Sequence, residues 1–264
     1  SHGFEKDRLH LWHTAGLLAG FFGNPNVPVT VSNACISGAC AQIAAIQLLD
    51  QGNYDHVVVT GVDLAPDFIV SGFQSVKSLD GERCRPFDAR RKGLNLGEAA
   101  ATIVYGKEKK PGIALVSGSI RNDANHISGP SRTGEGLFRA LKTALGNLPA
   151  GEIAFISAHG TATPYNDQME AVAFSRAGLE STLIFSLKAQ FGHTLGAAGI
   201  LESVIATKAL EQGLILPSSG YEQPGIEGAI NVSTTLSKTD KRFCIKTLSG
   251  FGGCNAVLLF ENAL

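Results

Sequence analysis

The chain has 264 residues, 44% of them apolar, which is enough for one large or two small domains with a sizeable core. Charged residues make up 17% and nearly cancel to a formal −1, so no global field would hold nucleic acid or an anionic membrane surface. No apolar run approaches the ~20 residues of a bilayer span, and the first residues lack the basic-then-apolar order of a signal peptide.

The elements alternate in type along the chain. Residues 9–22 read as a helix ending near Gly23 and Asn24, and 27–31 as a strand running into Ser32-Asn33-Ala34-Cys35. A helix over 37–49 and a strand over 56–60 follow. A long polar stretch, 78–97, leads to a small-residue strand at 99–105, and residues 107–111 close this half. The second half repeats the pattern: strand 113–120, amphipathic helix 136–145, strand 153–158, helix 167–177 and strand 183–185. A helix over 195–210 and strands near 243–248 and 256–261 complete it. Such alternation favours an α/β layer architecture with a buried sheet.

The halves rhyme: in each, a strand delivers a reactive side chain, Cys35 or His193, to a helix rich in Ala and Gly. Small side chains let two such helices pack almost backbone to backbone. That would bring together residues far apart in sequence.

Cys35 stands between a strand and a helix, where free N–H groups and the helix dipole stabilise a thiolate. Taken alone it equally fits a small buried hydrophobe. His159 ends the strand 153–158 and is followed by Gly-Thr-Ala-Thr-Pro, a turn that exposes the ring beside two hydroxyls; the bland reading is a core or capping histidine. His193 lies among glycines, five positions after Lys188. The other histidines, His2, His10, His13, His56 and His126, read as solvent-facing or structural. His10 and His13 at i, i+3 find no third donor, so no metal site is expected. Ser249-Gly-Phe-Gly-Gly-Cys-Asn is a glycine turn that could aim N–H groups at an oxyanion, without the spacing of a nucleotide-binding loop. The five cysteines (Cys35, Cys40, Cys84, Cys244, Cys254) form no CxxC pair, which argues against a disulfide framework or structural zinc and for a reducing, cytosolic compartment.

Five blocks in order resemble the Cys-His-His condensing enzymes, the β-ketoacyl-[acyl-carrier-protein] synthases of the thiolase-like superfamily. They are Asn33-Ala-Cys-Ile-Ser-Gly-Ala, residues 85–100 beginning Arg-Pro-Phe-Asp, His159-Gly-Thr-Ala-Thr-Pro-Tyr-Asn-Asp, residues 188–199 with Glu202, and Gly250-Phe-Gly-Gly-Cys-Asn. Each block is moderately specific, and all five in this order are very specific.

The resemblance implies a thiolase-like, layered αβαβα fold of two similar halves. Residues 1–110 would be the remnant of the first half, carrying the nucleophile, and 111–264 the second, carrying both histidines. Only 34 residues precede Cys35, so by the family pattern the first half is incomplete, truncated at its N-terminal side. The implied reaction is a decarboxylative Claisen condensation of an acyl thioester held on Cys35 with malonyl-acyl carrier protein, in fatty acid or polyketide-like synthesis. His159 and His193 would stabilise the enolate, and Lys188 would support them through Glu202. Phe251 would gate the acyl pocket, its N–H and that of Cys35 forming the oxyanion hole. Thr161 and Thr163 would touch the pantetheine arm, Gly252 would line the substrate site and Asn255 would support the final turn. Arg85, Asp88 and Glu98 are expected as structural ion-pair members.

By the same resemblance the partners are acyl carrier protein and a second copy of the chain, with no cofactor, metal, nucleic acid or membrane. Departures from the family pattern are Leu187 before the lysine, Ser249 before the gate glycine and Cys254 in the final turn. The competing reading is a non-catalytic partner subunit of a condensing heterodimer, although such partners usually lack the nucleophilic cysteine. A thiolase or an initiating synthase, with a Cys-His-Asn or Cys-His-Cys set, is disfavoured by the HGTATP block beside a second Gly-His.

Overall fold

In the computed structural model, residues 6–108 and 111–263 are described. His2, the basic pair Lys109 and Lys110, and with them part of the expected closing segment at 107–111, lie outside these residues.

The chain divides at Ser32/Asn33 into two units. The first holds a 3-10 turn, Lys6–Leu9, and helix α1, Leu11–Phe21, which ends near Gly23 as the sequence implies. The expected strand at 27–31 is instead irregular chain. Its apolar alternation suits a strand, but a strand exists only when its N–H and C=O groups find a ladder, which a local pattern cannot supply.

In the second unit, helix α2, Ser37–Asp50, is followed by β1, His56–Asp63, helix α3, Asp67–Ser75, and β2, Ala99–Gly106. Then come β3, Ile113–Asn122, α4, Glu135–Leu145, β4, Ile153–Ser157, α5, Pro164–Arg176, and β5, Leu183–Phe185. The one-turn helix α6, Lys188–Phe191, precedes α7, Ala198–Glu211. Short strands β6, Leu214–Ile215, and β8, Ser237–Lys238, pair with each other. Strands β7, Asn231–Val232, β9, Phe243–Gly250, and β10, Cys254–Asn262, belong to the main sheet.

That sheet runs β3-β10-β9-β4-β5-β7, antiparallel at the β3-β10-β9 side and parallel from β9 onward. The strands β4, β9 and β10 are buried on both faces and so read as nearly continuous apolar runs. Helices α4 and α5 cover one face through Leu137, Leu141, Met169 and Phe174, packed on Ile153, Ile156 and Val257. On the other face lie α2 and α7.

Beyond these helices β1 and β2 pair antiparallel from His56↔Gly106 to Asp63↔Ala99. Val57, Val59, Ala101 and Ile103 turn toward the helices and pack on Ala45 and Ile200. The opposite side of this two-stranded ladder leaves Val58, Val62 and Val104 exposed. The order of layers in this unit is therefore β, α, β, α.

The α2 and α7 axes approach closely because glycines meet there. A Cβ on Gly38 would stand 2.8 Å from the Gly196 carbonyl oxygen, and one on Gly199 would stand 2.5 Å from the Ala39 nitrogen. Gln42 seals the contact by donating to the Gly199 carbonyl at 2.9 Å.

The helix expected over 195–210 begins as a 3-10 turn, Leu195–Ala197, before α7 proper. Helix α3 went unread, since nine residues broken by Gly72 carry too short a period. Among the described residues no helix is long and apolar enough to cross a membrane. All five cysteines are free thiols.

Candidate active site

Cys35, His159 and His193 line one cavity of about 450 Å³. Cys35 sits two residues before α2 and is almost fully buried. His159 follows the end of β4, and His193 lies in the loop between α6 and α7. The two rings meet edge to face, with centroids 5.1 Å apart at 84°. An L residue with positive φ stands close to each of the three: Ala34 (φ 44°), Ala162 (φ 59°) and Leu195 (φ 52°). Such backbone costs roughly 1–3 kcal/mol per residue and persists only where the surroundings over-determine it.

The segment carrying His159 is strapped at successive peptide groups. Glu170 of α5 accepts from the N–H of His159 (2.8 Å) and of Gly160 (2.7 Å), and Thr247 of β9 donates to the same carboxylate (3.0 Å). Lys246 donates to the Ser157 and Ala158 carbonyls, both at 3.1 Å. His193 is held by donating its N–H to the Asn95 carbonyl (2.6 Å) and accepting from Gly97 N–H (3.1 Å). The polar stretch at 78–97 thus braces one imidazole.

Burial, reinforced by the Lys188 ammonium, holds both imidazoles well below their ordinary value, with Lys246 acting in the same direction. Both rings are therefore neutral at pH 7. The Cys35 thiol is pushed up to about 11 by burial, which outweighs Lys188 and the nearby N–H groups of Phe251 and of Cys35 itself. A local sequence that favours a thiolate thus meets a site whose burial favours the un-ionised thiol.

Phe251, Thr161, Thr163 and Asn255 share the cavity wall. The Thr161 and Thr163 hydroxyls are 2.9 Å apart, and Ser249 donates to the Asn255 side-chain oxygen at 2.8 Å. Gly252 is not part of the wall: its N–H donates to the Ile127 carbonyl and its own carbonyl accepts from Asn122, both at 2.7 Å. Lys188 and Glu202 also lie outside the wall, as a fully buried ion pair. Burial works to raise the Glu202 carboxyl, but the Lys188 and Lys246 ammonium groups prevail and hold it below its usual range.

Of the expected ion-pair members, Asp88 is buried and accepts backbone N–H groups from Glu222 (2.7 Å) and Gln223 (2.8 Å) besides facing Arg90. Arg85 reaches Glu222 only at 3.8 Å, and Glu98 accepts from Ala65 N–H at 2.9 Å, a loop brace and not an ion pair.

Sequence reading missed Phe73, whose ring stacks on Phe251 and lies nearly perpendicular to that of His193, as well as Glu170 and Lys246. It also placed His126 away from the site, whereas His126 lines the cavity while its Nδ1 accepts from Ser128 and Gly129 N–H groups, both at 3.2 Å. For Lys246 a signal existed: a lone cation inside the apolar run Phe-Cys-Ile-Lys-Thr-Leu. Among the described residues no group of three or more His, Cys, Asp or Glu side chains could hold a metal ion.

Known proteins resemble this chain in sequence and in fold. The β-ketoacyl synthase N-terminal domain model matches residues 10–110 and the β-ketoacyl synthase C-terminal domain model matches 113–222. Nodulation protein E of Rhizobium meliloti is 32% identical over 244 residues, covering 88% of this chain and 61% of its own length. The 3-oxoacyl-[acyl-carrier-protein] synthase 2 of Vibrio harveyi is 30% identical, covering 94% and 65%. Among solved structures, the ketosynthase ApeO in complex with its chain length factor ApeC, from Xenorhabdus doucetiae, matches with TM-score 0.93 and 30% identity, over 99% of this chain and 67% of that one. A β-ketoacyl synthase from Burkholderia phymatum matches with TM-score 0.90 and 27% identity, over 96% and 66%. The chain thus spans about three fifths to two thirds of the length of these relatives, and its fold is thiolase-like.

Proposed function

We propose that this chain, which belongs to the β-ketoacyl synthase family, carries out a decarboxylative Claisen condensation between an acyl thioester and malonyl-acyl carrier protein. One observation carries the reading: a buried thiol with two N–H donors near its sulfur shares a cavity with two neutral imidazoles.

In the first step the Cys35 sulfur attacks the acyl thioester carbonyl. The N–H groups of Cys35 and Phe251 receive the developing oxyanion, and the pantetheine thiolate departs with the thiol proton. Sulfur suits both roles, as a soft nucleophile now and a good leaving group later. In the second step malonyl thioester binds with its carbonyl toward His159 and His193. Its carboxylate leaves as carbon dioxide, and the electron pair becomes an enolate that both rings stabilise by hydrogen bonds, each worth roughly 2.7–4 kcal/mol in comparable sites. The enolate carbon attacks acyl-Cys35, the carbonyl collapses, and the sulfur of Cys35 leaves, giving a β-ketoacyl thioester on the carrier.

In this reading Phe251 gates the acyl pocket, Thr161 and Thr163 hold the pantetheine arm, and Lys188 with Glu202 supplies electrostatic support from behind the wall. Gly252 shapes the turn and Asn255 supports it. Residues 1–110 and 111–264 are the two thiolase-like halves. Acyl carrier protein is the partner that delivers both substrates, and the functional form is a dimer in a reducing, cytosolic setting that keeps the five thiols free. The presence of Cys35 favours a catalyst over a chain-length partner subunit.

Intact-mass measurement after incubation with an acyl thioester tests the first step: one acyl adduct is expected, located on Cys35 and lost in Cys35→Ser. Absence of any adduct would instead favour the partner-subunit reading. Decarboxylation of malonyl-acyl carrier protein tests the second step, with a drop on the order of 10²-fold or more expected in His159→Ala and in His193→Ala.

A further inference from the structure

Lys246 lies mid-strand in β9 and is fully buried, with its ammonium 2.6 Å from the Glu202 Oε2 and 3.1 Å from the carbonyl oxygens of both Ser157 and Ala158. Those are the last two peptide carbonyls before His159. Glu202 therefore bridges two buried lysines, taking Lys188 on Oε1 and Lys246 on Oε2.

A buried cation is retained only where partners hold it, and here the partners are the backbone of the candidate site. Neither His159 Nδ1 nor His193 Nδ1 has a hydrogen-bond partner among the described residues. The ring of His159 thus lacks the carboxylate or carbonyl that commonly orients such an imidazole. Its placement rests on packing against His193 and on the peptide that carries it. Thr247, next along β9, holds the following N–H groups through Glu170, so two adjacent residues of one strand grip His159 from both sides.

We infer that Lys246 is a positioning residue of the site: anchored by Glu202, it fixes the two carbonyls that deliver His159 and sets a second buried cation beside the imidazole pair. The inference rests on the condensing function proposed above and assigns Lys246 to the decarboxylation half of it. The ionisable groups gathered there are Lys188 on α6, Glu202 on α7, Glu170 on α5, Lys246 on β9 and the two imidazoles. Burial keeps both rings neutral and the two ammonium groups add to it; the same two charges favour the negative charge that grows on the malonyl thioester oxygen. The Cys35 thiol answers instead to Lys188 and Asp63 among the charged groups, so acyl transfer to Cys35 should be nearly independent of Lys246.

The test compares the unmodified protein with Lys246→Met, which leaves Lys188 and Glu202 as a neutral pair. Acylation of Cys35 and decarboxylation of malonyl-acyl carrier protein are measured separately across pH. Expected are near-normal acylation, a decarboxylation rate reduced about tenfold or more, and an acid limb of that rate displaced to higher pH, because removal of a cation lets the imidazoles protonate more easily. Equal loss in both half-reactions, or an unmoved acid limb, overturns the inference.

Imidazole titration followed by NMR in ring-labelled protein reads the same point without activity: ionisation of His159 moves to higher pH in the variant, and an unchanged titration overturns the inference. If Lys246→Met does not fold, Lys246→Gln, which keeps a donor and drops the charge, takes its place in both measurements. An unmodified protein inactive in both half-reactions counts against the condensing function, while the titration still decides the role of Lys246.

Discussion

The ring of Phe251 stacks on that of Phe73, with centroids 5.4 Å apart at 25°, and Phe73 in turn meets His193 at 86°, with centroids 6.4 Å apart. A residue of α3 therefore ties the glycine turn after β9 to one of the two imidazoles. Because Phe251 is itself partly exposed and flanked by glycines with positive φ at 252 and 253, the stack is what holds its ring in place.

Phe73→Ala should free that ring. Loss of a stacking contact of ~0.5–1.5 kcal/mol predicts a change of roughly two- to tenfold in the apparent KM for the acyl donor. The effect should vary with acyl chain length. A variant with the chain-length profile of the unmodified protein would show that the stack does not restrain Phe251.

The glycine contact between α2 and α7 makes a stability prediction. With a new Cβ only 2.5 Å from the Ala39 nitrogen, Gly199→Ala must push the helices apart, at a cost of about 1–3 kcal/mol or more. Denaturant unfolding measures it. Gly16→Ala, where a Cβ meets nothing within 4 Å, is the control and should be neutral or slightly stabilising.

Cys35, raised to about 11 by burial, should react with iodoacetamide at a rate that rises about tenfold per pH unit from 7 through 9, following the thiolate fraction. Peptide mapping distinguishes it from the more accessible Cys254. A rate that levels off near pH 8 would mean that the helix end, and not burial, sets its ionisation.

Asp167 is buried in α5 and accepts the Phe87 N–H at 2.7 Å, yet burial raises its carboxyl to about 7. The folded form keeps a proton that the unfolded chain releases near pH 4, so the native state binds more protons across that window. Stability contributed by this group is therefore full below about pH 4 and declines until about pH 7. Asp167→Asn, which cannot ionise, should gain on the unmodified protein as pH rises from 4 to 7, by roughly 4 kcal/mol at the upper end. Parallel stability curves for the two proteins would show that Asp167 ionises normally.

The chemistry-bearing residues were legible in the sequence because each is framed by local signals: a strand end, a glycine, a following helix. That framing left Cys35 and His159 each with a bland alternative, and it was the resemblance of five ordered blocks to the condensing enzymes that singled out Cys35, His159 and His193; the alternating strands and helices gave the α/β class. What the sequence could not contain were properties created by removal from water and by neighbours distant along the chain. The apolar run at 27–31 fails to become a strand because pairing is a tertiary event, and the Cys35 thiol is pushed up by a burial that its local sequence does not carry. Lys246, 88 positions from Ala158 (246 − 158), acquires its place only when β9 and β4 lie side by side, since a cation buried by folding must take its partners from whatever the sheet sets beside it.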